Sequence, residues 1–203
     1  MKDFAVWMTS IITIVSAFRV AYQVWRKEIS PALSTWIIFL AATGLSLGTY
    51  AIAENHDYRS GVLNTVDVAA IVVVLLATLV WGDRAARFRP FEKWYLAGTG
   101  VITLYGMISG DAWTSNLFTQ ALISIGYLPT LQALVAQKRN TESFTGWGLF
   151  LAGGVVALYP AFVDGNTLAA IYAVRTIVLI GIVLLLMAYY EIQTRGAAEQ
   201  SAA

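Results

Sequence analysis

The sequence predicts an all-α membrane protein, with seven transmembrane helices forming two parallel three-helix bundles joined by a linker helix. Three observations predict it. Apolar residues make up 58% of the 203-residue chain and charged residues only 12%, whereas soluble domains carry about a quarter charged residues. Mean hydropathy is +0.67. The last three of seven apolar segments also echo the first three. Phe18, Gln23, Ser34, Gly44 and Tyr50 recur as Tyr127, Gln132, Ser143, Gly153 and Tyr159, each 109 residues later and without a gap. Such duplication is a mark of transporters that hold their solute between the copies.

A membrane-crossing helix needs about 20 mostly apolar residues, because the hydrocarbon is about 30 Å thick and each residue rises about 1.5 Å. The segments meeting or approaching this are 4–25, 32–53, 61–82, 93–110, 113–136, 145–163 and 166–190. The N-terminus, MKDFAVW, lacks the basic run and cleavage site of a removable signal peptide, so the first segment is expected to remain as a span. The third follows the polar turn ENHDYRSG, and the fourth follows the basic run GDRAARFRPFEK. The fifth contains Pro129, and only a tight turn near 164–166 separates the sixth from the seventh. The closing stretch 191–203 reads as a disordered tail. Residues 4–82 thus form a first repeat, 93–110 a linker helix and 113–190 a second repeat, within one membrane domain spanning 1–203.

Basic residues set the orientation. Arg26, Lys27, Arg84, Arg87, Arg89, Lys93, Lys138, Arg139 and Arg195 collect on one side, against Lys2 and Arg59 on the other. The N-terminus is therefore expected outside and the C-terminus in the cytoplasm, as in a bacterial inner membrane. Trp7 and Trp113 would mark the outer interface, and Trp25, Trp81 and Trp94 the inner one. A three-span unit ends on the side opposite its start. The extra fourth span restores the starting side, so both copies insert with one polarity around an axis along the membrane normal.

Several classes drop out. The chain has no cysteine and one histidine, His56, so thiolate and multi-histidine metal sites are excluded and no cofactor is expected. A net charge of +1 gives no electrostatic case for nucleic acid. The seventh segment contains no lysine to hold retinal. Asp67 has no second membrane carboxylate and no span carries a histidine, which argues against an intramembrane enzyme.

The stretch YLPTLQALVAQKRNTESFTGW is similar to the signature of the PQ-loop superfamily, which includes SWEET and SemiSWEET sugar transporters, cystinosin-type amino-acid transporters and the KDEL receptor. Pro129, Lys138–Arg139 and Ser143 match its proline, basic loop and small hydroxyl residue. Thr130 replaces the signature glutamine, and Gln132 follows two residues later. The first copy, FRVAYQVWRKEISPALSTW, keeps Arg26–Lys27 and Ser34 but has Val20 in place of the proline. In size, and in Trp36 and Trp147, the chain also resembles bacterial nicotinamide riboside carriers, which have a tighter tryptophan pair. The resemblance implies a seven-span transporter working by alternating access, or a receptor of the same architecture.

Asp67 and Arg175 are charges placed deep in the third and seventh segments, at matching positions if the loop slips by one residue. A charge at such depth costs about 2.5–3.5 kcal/mol on insertion scales, so it usually faces a partner or a wet cavity. Asn64 and Tyr172, three residues earlier, share their helix faces. The resemblance implies asparagines on these third helices, which singles out Asn64; Tyr172 or Arg175 takes that region in the second copy. The expected solute site is Asn64, Asp67, Tyr172 and Arg175, with Trp36 and Trp147 lining the cavity or serving as belt residues. Arg175 suits a carboxylate or phosphate, and Asp67 an amine or a proton. The competing arrangement is a direct Asp67–Arg175 ion pair that ties the bundles together. Pro129, Gln23, Gln132 and Arg19 are the candidates for hinge or gate: a proline kink, two repeat-related amides, and an arginine that either snorkels or lines a vestibule. Tyr50 and Tyr159 are expected near an interface. The expected function is movement of a small polar or zwitterionic solute (sugar, amino acid or vitamin-like), the alternative being a non-transporting receptor or scaffold. Its partners are then that solute and the bilayer, with a homo-oligomer left open.

Overall fold

The computed structural model describes residues 1–53, 57–82 and 111–202, together with 93–94, 97–98, 101, 104–105 and 108, with side chains described as far as residue 194. The continuous stretches form α1 (Lys2–Trp25), α2 (Leu33–Ala53), α3 (Val62–Trp81), α4 (Ala112–Gly126), α5 (Leu128–Gln137), α6 (Phe144–Val163) and α7 (Thr167–Ala202). No strand occurs among the described residues. Among the described residues, six spans are long and apolar enough to cross a membrane: α1, α2, α3, α4 with α5 over Ala112–Gln137, α6, and Thr167–Thr194 of α7. The expected linker helix, 93–110, lies largely outside the described residues; the positions described there are helical.

Local chemistry explains most helix ends. Asp3 sits in the first turn of α1, where its charge opposes the positive end of the helix dipole. Asp111 caps α4 by accepting from the Trp113 amide at 3.1 Å, and Ser143 caps α6 by accepting from the Gly146 amide at 2.9 Å. The chain leaves α1 and α5 through left-handed residues, Lys27 at φ 61° and Lys138 at φ 49°. The expected fifth span is two helices, broken at Tyr127. Pro129 falls in the first turn of α5, where a missing N–H leaves no hydrogen bond unmade. At the other end of the chain, the stretch expected to be disordered continues α7 to Ala202. Its alanines, glutamates and glutamines are strong helix formers, so the helix outlasts its apolar span.

α3 packs against both α1 and α2, and α7 packs against α6 with further contacts to α3, α4 and α5. The most extensive contacts between the earlier and later helices are α1 on α6 and α2 on α4. The α1–α6 seam is built from small residues, as close helix approach in lipid requires. Thr9, Thr13 and Ser16 are fully buried, and Ser16 Oγ donates to the Gly146 carbonyl at 2.6 Å. A Cβ on Gly146 would overlap Val20, and one on Gly153 would lie 2.8 Å from Thr13 Oγ1. Meanwhile Phe4, Trp7, Ile11, Val15 and Phe18 of the same helix point outward and are exposed. Large apolar side chains outside and small polar ones inside suit a lipid solvent. Trp25, Trp81, Trp94 and Trp113 are exposed as well.

The likeness of the two halves has a different register in space. Lys27 and Lys138, Trp36 and Trp147, Phe39 and Phe150, and the first residues of α2 and α6 are each 111 residues apart. Ser143 caps α6 from outside, whereas its expected mate Ser34 is the second residue inside α2.

Candidate functional site

Between α2, α3, α4, α6 and α7 lies a cavity with about 30 Å³ open to water, room for one or two molecules. One side is aromatic. Trp36 and Trp147 stack with their rings 6.1 Å apart and 27° from parallel. Tyr127, at the joint between α4 and α5, meets Phe39 edge-on at 4.7 Å and Trp147 at 5.9 Å. Phe150 completes this wall. Asp67 of α3 faces the same space, with Tyr172, Arg175 and Thr176 of α7.

These polar groups are linked through a ring. The Tyr172 hydroxyl donates to Asp67 Oδ2 at 2.8 Å. The Arg175 guanidinium carbon lies 4.4 Å from the centre of the Tyr172 ring, within range of cation–π attraction. Arg175 Nη2 donates to Thr176 Oγ1 at 3.0 Å, while Nε and Nη1 are buried without a hydrogen-bond acceptor among the described residues. No direct Asp67–Arg175 ion pair forms: the pairs among the described residues are Lys2–Asp164, Arg26–Glu28 and Arg59–Asp3. Tyr172 takes the place of that pair by satisfying the carboxylate itself.

The other expected residues are spread more widely. Asn64 does not line this cavity; its amide donates to Ser46 Oγ at 3.1 Å, because α2 offers an acceptor there. Asn116 and Gln120 of α4 also donate to Ser46, at 2.9 Å to its carbonyl and 3.2 Å to its hydroxyl. The result is a polar knot holding α2, α3 and α4 together. Gln23 accepts from the Ser143 hydroxyl and so joins α1 to the cap of α6. Its repeat mate Gln132 lines a shallow surface groove with Leu131 and Val135. Arg19 is exposed on α1, its guanidinium 5.9 Å from the Tyr22 ring, so it is a surface residue rather than a vestibule lining. Tyr159 is exposed, whereas Tyr50 is 1% exposed and receives the Asn166 amide at 2.8 Å while donating to the Asp57 carbonyl at 2.9 Å. Tyr50 is thus an internal brace instead of an interfacial residue.

Two further sets of contacts join the earlier and later parts of the chain. At the N-terminal end, Lys2 pairs with Asp164 at 2.5 Å, and Ser60 donates to Asp164 at 2.6 Å. Hydrogen bonds from Lys2 and then Ser60 hold the Asp164 carboxyl below its usual range. At the opposite, basic end, Thr35 bonds Thr130 at 2.9 Å and the Ser30 amide donates to the Thr141 carbonyl at 3.2 Å. Glu142 is buried there; its Oε2 accepts from the Trp147 indole at 3.1 Å, and Oε1 has no partner among the described residues. Burial pushes this carboxyl up to about 7, with the indole N–H pulling it back.

Reading the sequence missed Glu142, the Tyr127–Phe39–Phe150 wall and the Lys2–Ser60–Asp164 contact. Glu142 stands in KRNTES, which has the composition of a solvated loop. The aromatic wall could have been found from Trp-x-x-Phe, which occurs at both 36–39 and 147–150. Comparison with known families, curated proteins and solved structures finds no match to this chain.

Proposed function

We propose that the chain is a membrane transporter that moves a small polar or zwitterionic solute by alternating access, with the aromatic and charged cavity as its solute site. The observation that carries this reading is Arg175. A buried donor without an acceptor costs about 1–3 kcal/mol, and more when charged. Asp67 faces the same cavity and would be the natural partner, yet it is engaged by Tyr172. The guanidinium keeps N–H groups free for a visitor.

Contacts between the earlier and later parts of the chain support the reading from another side. Lys2 and Ser60 meet Asp164 in one set, and Thr35–Thr130 and Ser30–Thr141 form the other, so in this reading one set would part while the other holds. The α1–α6 and α2–α4 contacts also exchange with each other when the halves are swapped, as a two-fold axis along the membrane normal requires. In this reading a seventh span over 93–110 joins two parallel three-helix bundles of PQ-loop type. The N-terminus lies outside and the basic end faces the cytoplasm of a bacterial-type inner membrane.

Flux into proteoliposomes of a panel of sugars, amino acids and nucleosides tests the reading. One class is expected to cross, and Asp67→Asn and Arg175→Gln are expected to change that flux. Flux indifferent to both substitutions removes the site. Saturable binding without flux points instead to a receptor.

A further inference from the structure

Arg175 has five N–H donors on a planar fork whose two edges share Nη2. Thr176 takes one Nη2 hydrogen. Whichever hydrogen that is, one edge keeps two parallel N–H bonds, formed by Nη2 with either Nε or Nη1. Both of those nitrogens are buried and without an acceptor. A two-pronged N–H edge matches the two oxygens of a carboxylate in spacing and charge, whereas a sugar hydroxyl answers only one prong.

Across the cavity, Trp36 and Trp147 present a stacked indole pair, with Phe39, Tyr127 and Phe150 beside it. Such a wall offers dispersion and ring-quadrupole contacts to a flat body and few hydrogen bonds to a polyol. Asp67 adds a second charge beyond the Tyr172 ring.

We propose that the solute carries a carboxylate received by Arg175 and a flat, unsaturated or aromatic body seated against Trp36 and Trp147. This rests on reading the cavity as a solute site and narrows it to one substrate class. With about 30 Å³ open, the halves must part before such a body enters. The α4–α5 joint at Tyr127 lies on the wall that would have to move.

Calorimetric titration of the purified protein in detergent, using benzoate, benzamide, cyclohexanecarboxylate and phenylalanine, tests this without any substitution. Benzoate or phenylalanine is expected to bind at least about tenfold more tightly than the neutral isostere benzamide, because a buried fork left unpaired is penalised. The saturated ring is expected to bind more weakly than benzoate. Phenylalanine ahead of benzoate means a zwitterion with its amine on Asp67; benzoate ahead means a simple carboxylate. Arg175→Lys keeps the charge but loses the fork. It is expected to weaken binding about tenfold while melting at an unchanged temperature. Benzamide binding as tightly as benzoate overturns the proposal. So does glucose or nucleoside flux unaltered in Arg175→Lys, although transport itself then stands. Binding of the aromatic carboxylate without flux upholds the substrate class and ends the transporter reading. Absence of both binding and flux ends both.

Discussion

Tyr172 donates its hydroxyl to Asp67 at 2.8 Å, so a phenol joins the charged groups of α3 and α7 where a salt bridge could have formed. Removing that hydroxyl takes the donor from a half-buried carboxylate oxygen. Tyr172→Phe is expected to destabilise the protein by about 1–3 kcal/mol, read as a lower thermal midpoint in detergent. Asp67→Asn keeps an acceptor oxygen for the phenol, and its loss of stability is expected to be smaller. Equal losses in the two variants would show that the phenol is not held by Asp67.

At the N-terminal end Asp164 holds both Lys2 and Ser60, a contact that in the proposed transporter would serve as a closure. The chain has no native cysteine, so a single introduced thiol reports access cleanly. Leu63→Cys lies at a buried position beneath that closure. Adding Asp164→Ala is expected to speed its labelling by an impermeant maleimide severalfold. The Asp164 carboxyl is held below its ordinary value of 3.8, so the contact is at full strength above that pH and is lost as pH falls through the lowered value. Labelling of the parent thiol should therefore be flat across neutral pH.

Glu142 gives the opposite dependence. Its carboxyl ordinarily titrates near 4.5 and is raised to about 7 in the folded protein. Between these values the folded state holds a proton that the unfolded state has released, so stability falls as pH rises and levels off above 7. The full change is about 3 kcal/mol at most. Thermal midpoints taken from pH 4.5 to pH 8 should fall accordingly, and Glu142→Gln should flatten the curve. A variant with the parental slope would assign the proton elsewhere.

Two glycines of α6 separate seam packing from helix propensity. A methyl at Gly146 overlaps Val20 of α1, while one at Gly148 meets nothing within 4 Å. Gly146→Ala is expected to cost about 1–3 kcal/mol through overpacking. Gly148→Ala is expected to be neutral or stabilising by up to about 1 kcal/mol. The paired thermal midpoints decide it.

Span-forming helices were legible because length and apolarity depend on the solvent they meet, and that is written residue by residue. Asp67, Tyr172 and Arg175 were legible for the same reason: a charge or phenol in an apolar run stands out, and all three reach one cavity. Asn64 stood out equally, yet Ser46 captures it, and a local acceptor on the facing helix has no signature along the chain. Glu142 was hidden because its burial comes from a distant segment, the Ser30 amide bonding the Thr141 carbonyl. Repeat register was misjudged by two residues. Ser34 with Ser143 is an identity in sequence only, whereas Trp36 with Trp147 share a wall.

α1 runs unbroken for 24 residues, whereas its counterpart is interrupted at Tyr127, whose ring touches whatever fills the cavity. In the proposed transporter the two limbs are therefore unequal: a stiff post on one side and an articulated arm on the other. There, pressure from a guest on that single ring would act at the elbow itself, so that filling the chamber and bending the arm would become one mechanical event.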